Sequence, residues 1–223
     1  MCISTPKGIR AFQSGVLEWH QANKRDYPWR RTRAAYHILV AEVLLQQTDA
    51  PKVAPVYCAF IERFPAVEAL ALADLAEVSA LLSPLGLKYR AGRLISIAQR
   101  VVHDYKGQVP ASEELLLLLP GVGRYIARSV CASAFGQRKG VLDTNVIRIL
   151  DRLFSIRSAS AWPRDDLALW DLVTRLVPPR RVSEAYDWNW ALLDFAATVC
   201  THLRPSCGNC PLVDACNFVS CWS

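Results

Sequence analysis

The chain reverses direction at Leu119-Pro120-Gly121-Val122-Gly123, between two segments of helical length. On both sides, in residues 112–119 and 125–135, apolar residues recur at spacings of three and four. Two glycines in such a hairpin let the backbone approach a phosphate closely, with amide groups at the start of the following helix. Taken alone, this hairpin is more typical of a plain connector between helices, so its meaning depends on the segments around it.

The same helical periodicity continues along most of the chain. Ser112 is placed to cap the segment before the hairpin, and alternating strand-like patterns are nearly absent. The sequence therefore predicts an all-α fold. The remaining predicted helices cover residues 8–20, 35–46, 52–63, 67–72, 75–83, 89–105, 145–154, 165–177 and 185–200.

Composition narrows the class of protein. Hydrophobic residues make up 52% of the 223 residues, which is enough for a packed core. The formal net charge of +6 suits an acidic polymer as partner, although a merely basic soluble protein is equally consistent with it. No apolar run approaches the ~20 residues that cross a bilayer. We therefore expect no membrane association and a cytoplasmic location, where thiols stay reduced.

Four of the eight cysteines are grouped near the C-terminus, at Cys200, Cys207, Cys210 and Cys216. Their C-x6-C-x2-C-x5-C spacing predicts one compact site, because soft thiolates bind zinc or an iron–sulfur cluster. Zinc sites often use two C-x2-C pairs, and this segment contains one. The spacing alone leaves both metals open.

An aspartate follows the hairpin in Val141-Leu142-Asp143-Thr144-Asn145-Val146, 20 residues after Gly123. An aspartate at the start of a helix is commonly an N-cap. A carboxylate at such a place can also stabilise positive charge that develops on a substrate. The position admits both roles.

Two further segments lie near the N-terminus, Asp26-Tyr27-Pro28-Trp29-Arg30 and Glu42-Val43-Leu44-Leu45-Gln46-Gln47-Thr48. Glu42 belongs to a largely apolar helix, so desolvation could raise its pKa and make it a proton donor. The plain alternative is an exposed glutamate at the helix edge. Gln46 and Gln47 are polar residues at a helix end.

Together these segments resemble the helix-hairpin-helix DNA glycosylases of the endonuclease III/MutY superfamily, from Tyr27 to Cys216. The resemblance implies a two-lobed fold, with a six-helix lobe over residues 28–136 and a cluster lobe from residues 1–27 and 137–223. The active site is then expected in the cleft between the lobes. The cysteine spacing resembles the [4Fe–4S] loop of this superfamily, which implies that the four cysteines bind such a cluster.

The resemblance also assigns roles around a flipped nucleotide, since a stacked base cannot present its glycosidic bond. It places Asp143 at the sugar, where a carboxylate stabilises the developing cation or activates water. One of Gln46 and Gln47 would fill the space of the extruded base. The base pocket is assigned to Glu42 and Tyr125, and the backbone of double-stranded DNA to Gly121, Val122, Gly123 and Arg124.

The residue two positions beyond Gly123 separates the subclasses of this superfamily. Bifunctional members carry a lysine there and adenine glycosylases usually a serine, whereas this chain has Tyr125. A phenol cannot form the Schiff base that strand cleavage requires, so we expect little or no lyase activity. Tyrosine here is similar to archaeal thymine–guanine mismatch glycosylases of the Mig type, as are residues 25–30, 100–105 and 169–178. The predicted function is a monomeric, prokaryotic, nucleoid-associated enzyme that excises thymine or uracil opposite guanine.

Two other functions stay open. Gln46-Gln47 follows the adenine glycosylases of the MutY type, which act on adenine opposite guanine or 8-oxoguanine. Those enzymes generally continue into a further domain, whereas this sequence ends seven residues after Cys216. A non-catalytic iron–sulfur module that binds DNA or senses redox state is the third candidate. The presence of Asp143, Glu42 and Tyr125 argues against it, because mere binding needs no carboxylate at the sugar.

Overall fold

The computed structural model describes residues 3, 5–86, 89–179 and 182–220, without the side chains of 182–186 and 220. The described residues form twelve α-helices and no β-strand, which confirms the predicted all-α class. The helices are α1 Pro6–Asn23, α2 Ala35–Leu45, α3 Ala50–Arg63, α4 Val67–Ala71, α5 Leu75–Leu82, α6 Tyr89–Tyr105, α7 Glu113–Leu116, α8 Arg124–Phe135, α9 Thr144–Phe154, α10 Leu167–Arg175, α11 Val182–Thr198 and α12 Asn217–Ser220. Short 3-10 turns lie at Pro28–Arg30, Ser83–Leu85, Pro163–Asp165, Cys207–Asn209 and Val213–Ala215.

The chain divides into two compact units. One is continuous and covers Asp26–Phe135, whereas the other combines Met1–Arg25 with Gly136–Ser223. We call them the hairpin unit and the cysteine unit. In the part of the chain that the structure describes, no helix is long and apolar enough to cross a membrane.

The hairpin unit is built around α2. Every residue from position 38 to 44 of this helix is buried, because its apolar residues cover all faces. Helices α3, α6 and α8 pack against it. Glu42 is the one charged side chain in this buried run, at 8% exposure.

Helix α7 is shorter than its periodicity predicts. Ser112 caps it by accepting a hydrogen bond from the Leu115 amide, at 3.3 Å. Beyond the helix the chain tightens, since the Leu118 and Leu119 amides bond to carbonyls three residues back. Pro120 then ends the segment, because a proline disfavours helical backbone at the residue before it. This tightening leads the chain directly into the hairpin.

The cysteine unit has its own aromatic core. The Phe12 ring stands edge-on to Phe154 and Trp188, with centroid distances of 5.1 and 5.5 Å. Asp194, fully buried on α11, accepts hydrogen bonds from the Arg25 backbone and side chain, and His20 Nε2 lies 3.2 Å from it. These contacts fix α1 against α11, the helix that leads to Cys200.

Candidate functional site

Asp143 is the N-cap of α9. Its Oδ1 accepts hydrogen bonds from the Asn145 and Val146 amides at 2.9 and 2.8 Å, and its Oδ2 accepts one from Asn145 Nδ2 at 2.7 Å. The capping interpretation is therefore correct. These bonds also hold the carboxylate in one orientation at the positive end of the helix dipole. A carboxylate oxygen has two lone pairs, so Oδ2 keeps acceptor capacity for a further group.

A short series of side-chain contacts connects Asp143 to the first cysteine of the quartet. Asn145 Oδ1 accepts a hydrogen bond from Arg148 Nη2 at 3.1 Å. Arg148 Nε in turn donates to the Cys200 carbonyl at 2.9 Å. The sequence pattern did not single out Arg148. Its partner lies 52 positions away, so only the folded chain shows the contact.

The four cysteines line one small cavity together with Phe195, Pro205 and Phe218. Burial raises the pKa of the Cys210 thiol to about 11, the Leu212 amide lowers it, and the three other cysteines of the quartet raise it further. In the described part of the chain no three His, Cys, Asp or Glu side chains stand ready to hold a metal ion.

Glu42 points to α8. Its Oε1 accepts a hydrogen bond from the Ser129 hydroxyl at 2.5 Å, and both residues are buried. The alternative of an exposed glutamate at the helix edge is therefore wrong. Ser129 was missed from the sequence, although it lies four residues after Tyr125 and hence on the same face of α8.

Tyr125 is the second residue of α8. It is half-buried and packs against the core of the hairpin unit. Because Tyr125 and Ser129 share a helix face, the phenol lies one turn before the serine that contacts Glu42. Glu42 and Tyr125 belong to the hairpin unit and Asp143 to the cysteine unit. The predicted cleft that joins them stays a prediction.

The two hairpin glycines differ in what the protein itself requires. Gly121 has a φ of +70°, and a Cβ at this position would collide with the Arg93 side chain. Gly123 has no positive φ, and no protein atom lies within 4 Å of its Cβ position. The fold therefore demands a glycine at 121, whereas the open space at Gly123 suits the close approach of an outside group.

Side chains of α6 hold residues 46–48 through hydrogen bonds. Arg90 is fully buried, which lowers its pKa, and its Nη2 donates to the Gln46 carbonyl and to Thr48 Oγ1. Arg93 Nη1 donates to Gln46 Oε1 at 2.8 Å. Gln46 is thus fixed, while Gln47 is exposed with a φ of 55°. Since Arg93 also contacts the Gly121 turn, it links this loop to the hairpin.

Comparison with known families identifies the class of this protein. A model described as "HhH-GPD superfamily base excision DNA repair protein" matches residues 40–171, which is more than half of the chain. The matched segment contains Glu42, the hairpin, Tyr125 and Asp143. The chain belongs to this superfamily.

Individual relatives extend the similarity to nearly the whole chain. A thymine-DNA glycosylase of Aeropyrum pernix is 40% identical, over 94% of this chain and 95% of its own. An adenine DNA glycosylase of Rattus norvegicus is 41% identical over 93% of this chain but 42% of its own. The structure of a thermostable thymine-DNA glycosylase superposes with a TM-score of 0.89 at 33% identity, covering 96% of this chain and 97% of the other. This match confirms the predicted glycosylase fold.

Proposed function

We propose that this protein is a monofunctional DNA glycosylase that excises thymine or uracil opposite guanine. The observation that carries the proposal is its similarity to a thymine-DNA glycosylase over nearly the full length of both chains. Uracil lacks only the 5-methyl group of thymine, and a pocket that accepts a methyl group rejects its absence weakly. The same site would therefore accept both pyrimidines.

Asp143 would act at the sugar. During hydrolysis the N-glycosidic bond breaks, its electron pair leaves with the pyrimidine, and water adds to C1′. The sugar carries positive charge at the transition state, and a preoriented carboxylate stabilises it. The cap geometry supports this role, because the carboxylate is already fixed by the Asn145 and Val146 amides. The same carboxylate can take up the proton of the attacking water.

Glu42 and Tyr125 would bind the flipped base. The Glu42 carboxyl is buried and the Ser129 hydroxyl fixes its Oε1, so the group would orient a base that enters the pocket. Tyr125 offers a ring face and a hydroxyl, but no amine. A covalent intermediate at C1′ therefore has no nucleophile at this position, which supports hydrolysis without strand cleavage.

The hairpin and residues 46–48 would hold the DNA. The open surface at Gly123 and the start of α8 at Arg124 suit a phosphate, since amides at a helix N-terminus attract anions. Gln47 would fill the space of the extruded base, because it is exposed whereas Gln46 is tied to Arg93. The DNA would then be gripped through its backbone and opened at one base pair.

Cys200, Cys207, Cys210 and Cys216 would bind a [4Fe–4S] cluster. Four thiols around one cavity fit this group, and their spacing along the chain resembles that of the superfamily's cluster loop. Arg152 Nη1 lies 3.7 Å from Cys200 Sγ and would offset the negative charge of the thiolates. When bound, the cluster would supply a rigid link between α9, α11 and the C-terminal turns.

The substrate can be tested with four duplexes that contain T·G, U·G, A·G or A·8-oxoG. We expect release of thymine and uracil, with strand breaks that appear only after alkali treatment. Release of adenine from the last two duplexes alone would replace the proposal by the adenine function.

That adenine function is the second candidate, and two observations favour it. Gln46-Gln47 matches the adenine glycosylases, and the rat enzyme is as similar in sequence as the thymine enzyme. Against it stands Tyr125, where those enzymes usually carry serine. The two candidate functions differ in the base that is released, so the base-release assay distinguishes them.

A further inference from the structure

A wide groove lies on the cysteine unit, between α9 and the 3-10 turn Pro163–Asp165. It encloses about 1760 Å3 of space that is open to solvent. One wall consists of side chains from the first two turns of α9, and the other of Trp162 and the turn that follows it. His202, from the segment between Cys200 and Cys207, lies at its rim.

Trp162 is the most unusual side chain of this groove, because 74% of it is exposed. Within the described ranges the other tryptophans are buried or half-buried. The backbone around it is well defined, since the Trp162 amide donates to Ser160 Oγ and its carbonyl accepts from the Asp165 amide. An ordered turn thus presents a large aromatic surface to solvent, which is typical of a binding contact.

The charge of the groove is positive. Arg148, Arg152 and Arg164 line it against Asp151 and Asp165. Asp151 is already paired with Arg157, whose Nε lies 2.8 Å from its Oδ1. Arg164 is exposed, and its carbonyl accepts a hydrogen bond from Trp170 Nε1 at 2.7 Å, which fixes its backbone. The net positive charge favours an anionic partner over a neutral or basic one.

The groove begins where the proposed chemistry takes place. Thr144 and Asn145 line it, and they directly follow Asp143. A DNA strand whose sugar faced Asp143 would therefore lie next to this groove. Each further nucleotide adds a sugar and a phosphate, which match an apolar indole face beside an arginine.

We propose that this groove binds the sugar–phosphate backbone of the DNA strand beyond the flipped nucleotide, an inference that rests on the proposed function. Trp162 packs against a deoxyribose and donates its Nε1–H to a phosphate, while Arg164 binds a neighbouring phosphate. These contacts do not depend on the base sequence. They extend the footprint of the enzyme to one side of the lesion.

The test measures binding to duplexes that carry a tetrahydrofuran abasic analogue opposite guanine. A long duplex is compared with two others that are shortened on one side of the analogue or the other. We expect Trp162→Ala to weaken binding to the long duplex by about fivefold, and Trp162→Phe to weaken it less because the ring face remains. One of the two shortened duplexes lacks the nucleotides that would lie in the groove. On that duplex, the variants and the native protein should bind equally.

Arg164→Ala should lower the slope of log K against log salt by about 0.9, as expected when one phosphate contact is lost. Two variants serve as controls outside the groove. Leu72→Ala removes an even more exposed apolar side chain from the hairpin unit, and Arg175→Ala removes one positive charge from the cysteine unit. Both should bind like the native protein at moderate salt.

Equal binding of native protein, Trp162→Ala and Arg164→Ala to the long duplex would overturn the proposal, as would equal weakening on all three duplexes. Another protein as the occupant of the groove would give the first of these results. The abasic probe holds no base to excise, so its outcome does not depend on which base the enzyme removes. The protein could release no base and still bind the abasic duplexes in the expected length-dependent way. That result would refute the proposed function and support the proposal about the groove.

Discussion

The Asp143 carboxylate caps α9 and is also the proposed stabiliser of the sugar cation. Asp143→Asn separates these roles, because asparagine caps a helix as well as aspartate does but carries no charge. We expect base release under single turnover to fall by about 10²–10⁴, with little change in DNA affinity. The melting temperature should fall only slightly, because the backbone cap is kept but the amide nitrogen of the new side chain cannot accept the hydrogen bond from Asn145 Nδ2. Asp143→Ala is the matched variant, and it should lose both activity and stability. Near-native base release by the Asn variant would mean that another residue acts at the sugar.

In the proposed function, Tyr125 is the residue that favours hydrolysis over strand cleavage. Tyr125→Lys would place an amine where bifunctional relatives carry one, and partial burial would depress its pKa and leave part of it unprotonated. The variant should form a covalent adduct with abasic DNA under borohydride and nick it without alkali. The native protein should do neither at a comparable rate. Equally weak trapping by both folded proteins would indicate that Tyr125 only packs between helices.

The sequence singled out the charged and aromatic residues of the candidate site but not the residues that hold them. Asp143, Glu42 and Tyr125 lie in recognisable motifs, whereas Ser129 and Arg93 act through contacts 87 and 47 positions away along the chain. Such contacts leave no trace in local periodicity. The pattern also left Gln46 and Gln47 equivalent, and only the hydrogen bond from Arg93 distinguishes them.

Two glycine variants of the hairpin between α7 and α8 test the proposed phosphate contact. Gly121→Ala should destabilise the protein by about 1–2 kcal/mol, because it forces a positive φ and displaces Arg93. Gly123→Ala should cost at most about 1 kcal/mol through the weaker cap of α8. It should nevertheless weaken DNA binding, since its methyl group fills the space left for a phosphate. Thermal unfolding and DNA titration measure both effects, and unchanged affinity of Gly123→Ala would refute the phosphate contact.

Helix positions followed the apolar periodicity closely, but helix ends did not. Residues 89–105 were predicted to the residue, whereas residues 112–119 contain α-helix only at Glu113–Leu116. Residues 117–119 keep the apolar spacing, but the Leu118 and Leu119 amides bond three residues back. The 3-10 turns near the cysteines were not predicted, because three-residue elements are too short to show a period.

The described residues form two compact units, and the quartet of cysteines belongs to one of them. If these cysteines bind a [4Fe–4S] cluster, the purified protein should be brown and contain about four irons and four sulfides per chain. Removal of the metal should unfold the segment around Cys207–Asn209 and lower the melting temperature, because buried thiols would lose their ligand. Stoichiometric zinc without sulfide would contradict the cluster. Cys58→Ser serves as a control, because it alters an exposed cysteine on α3 that lies outside the quartet. This variant should keep the iron and sulfide content of the native protein.

The proposed activity is defined by the base that this protein removes and by the base opposite it. The most direct measurement is the single-turnover rate of base release from duplexes that differ at one pair, T·G, T·A and A·8-oxoG, with Asp143→Asn as the inactive control. We predict fast release of thymine from T·G, at least about a hundredfold slower release from T·A, and no adenine from A·8-oxoG. Fast release of adenine, or equal rates for T·G and T·A, would contradict the assignment.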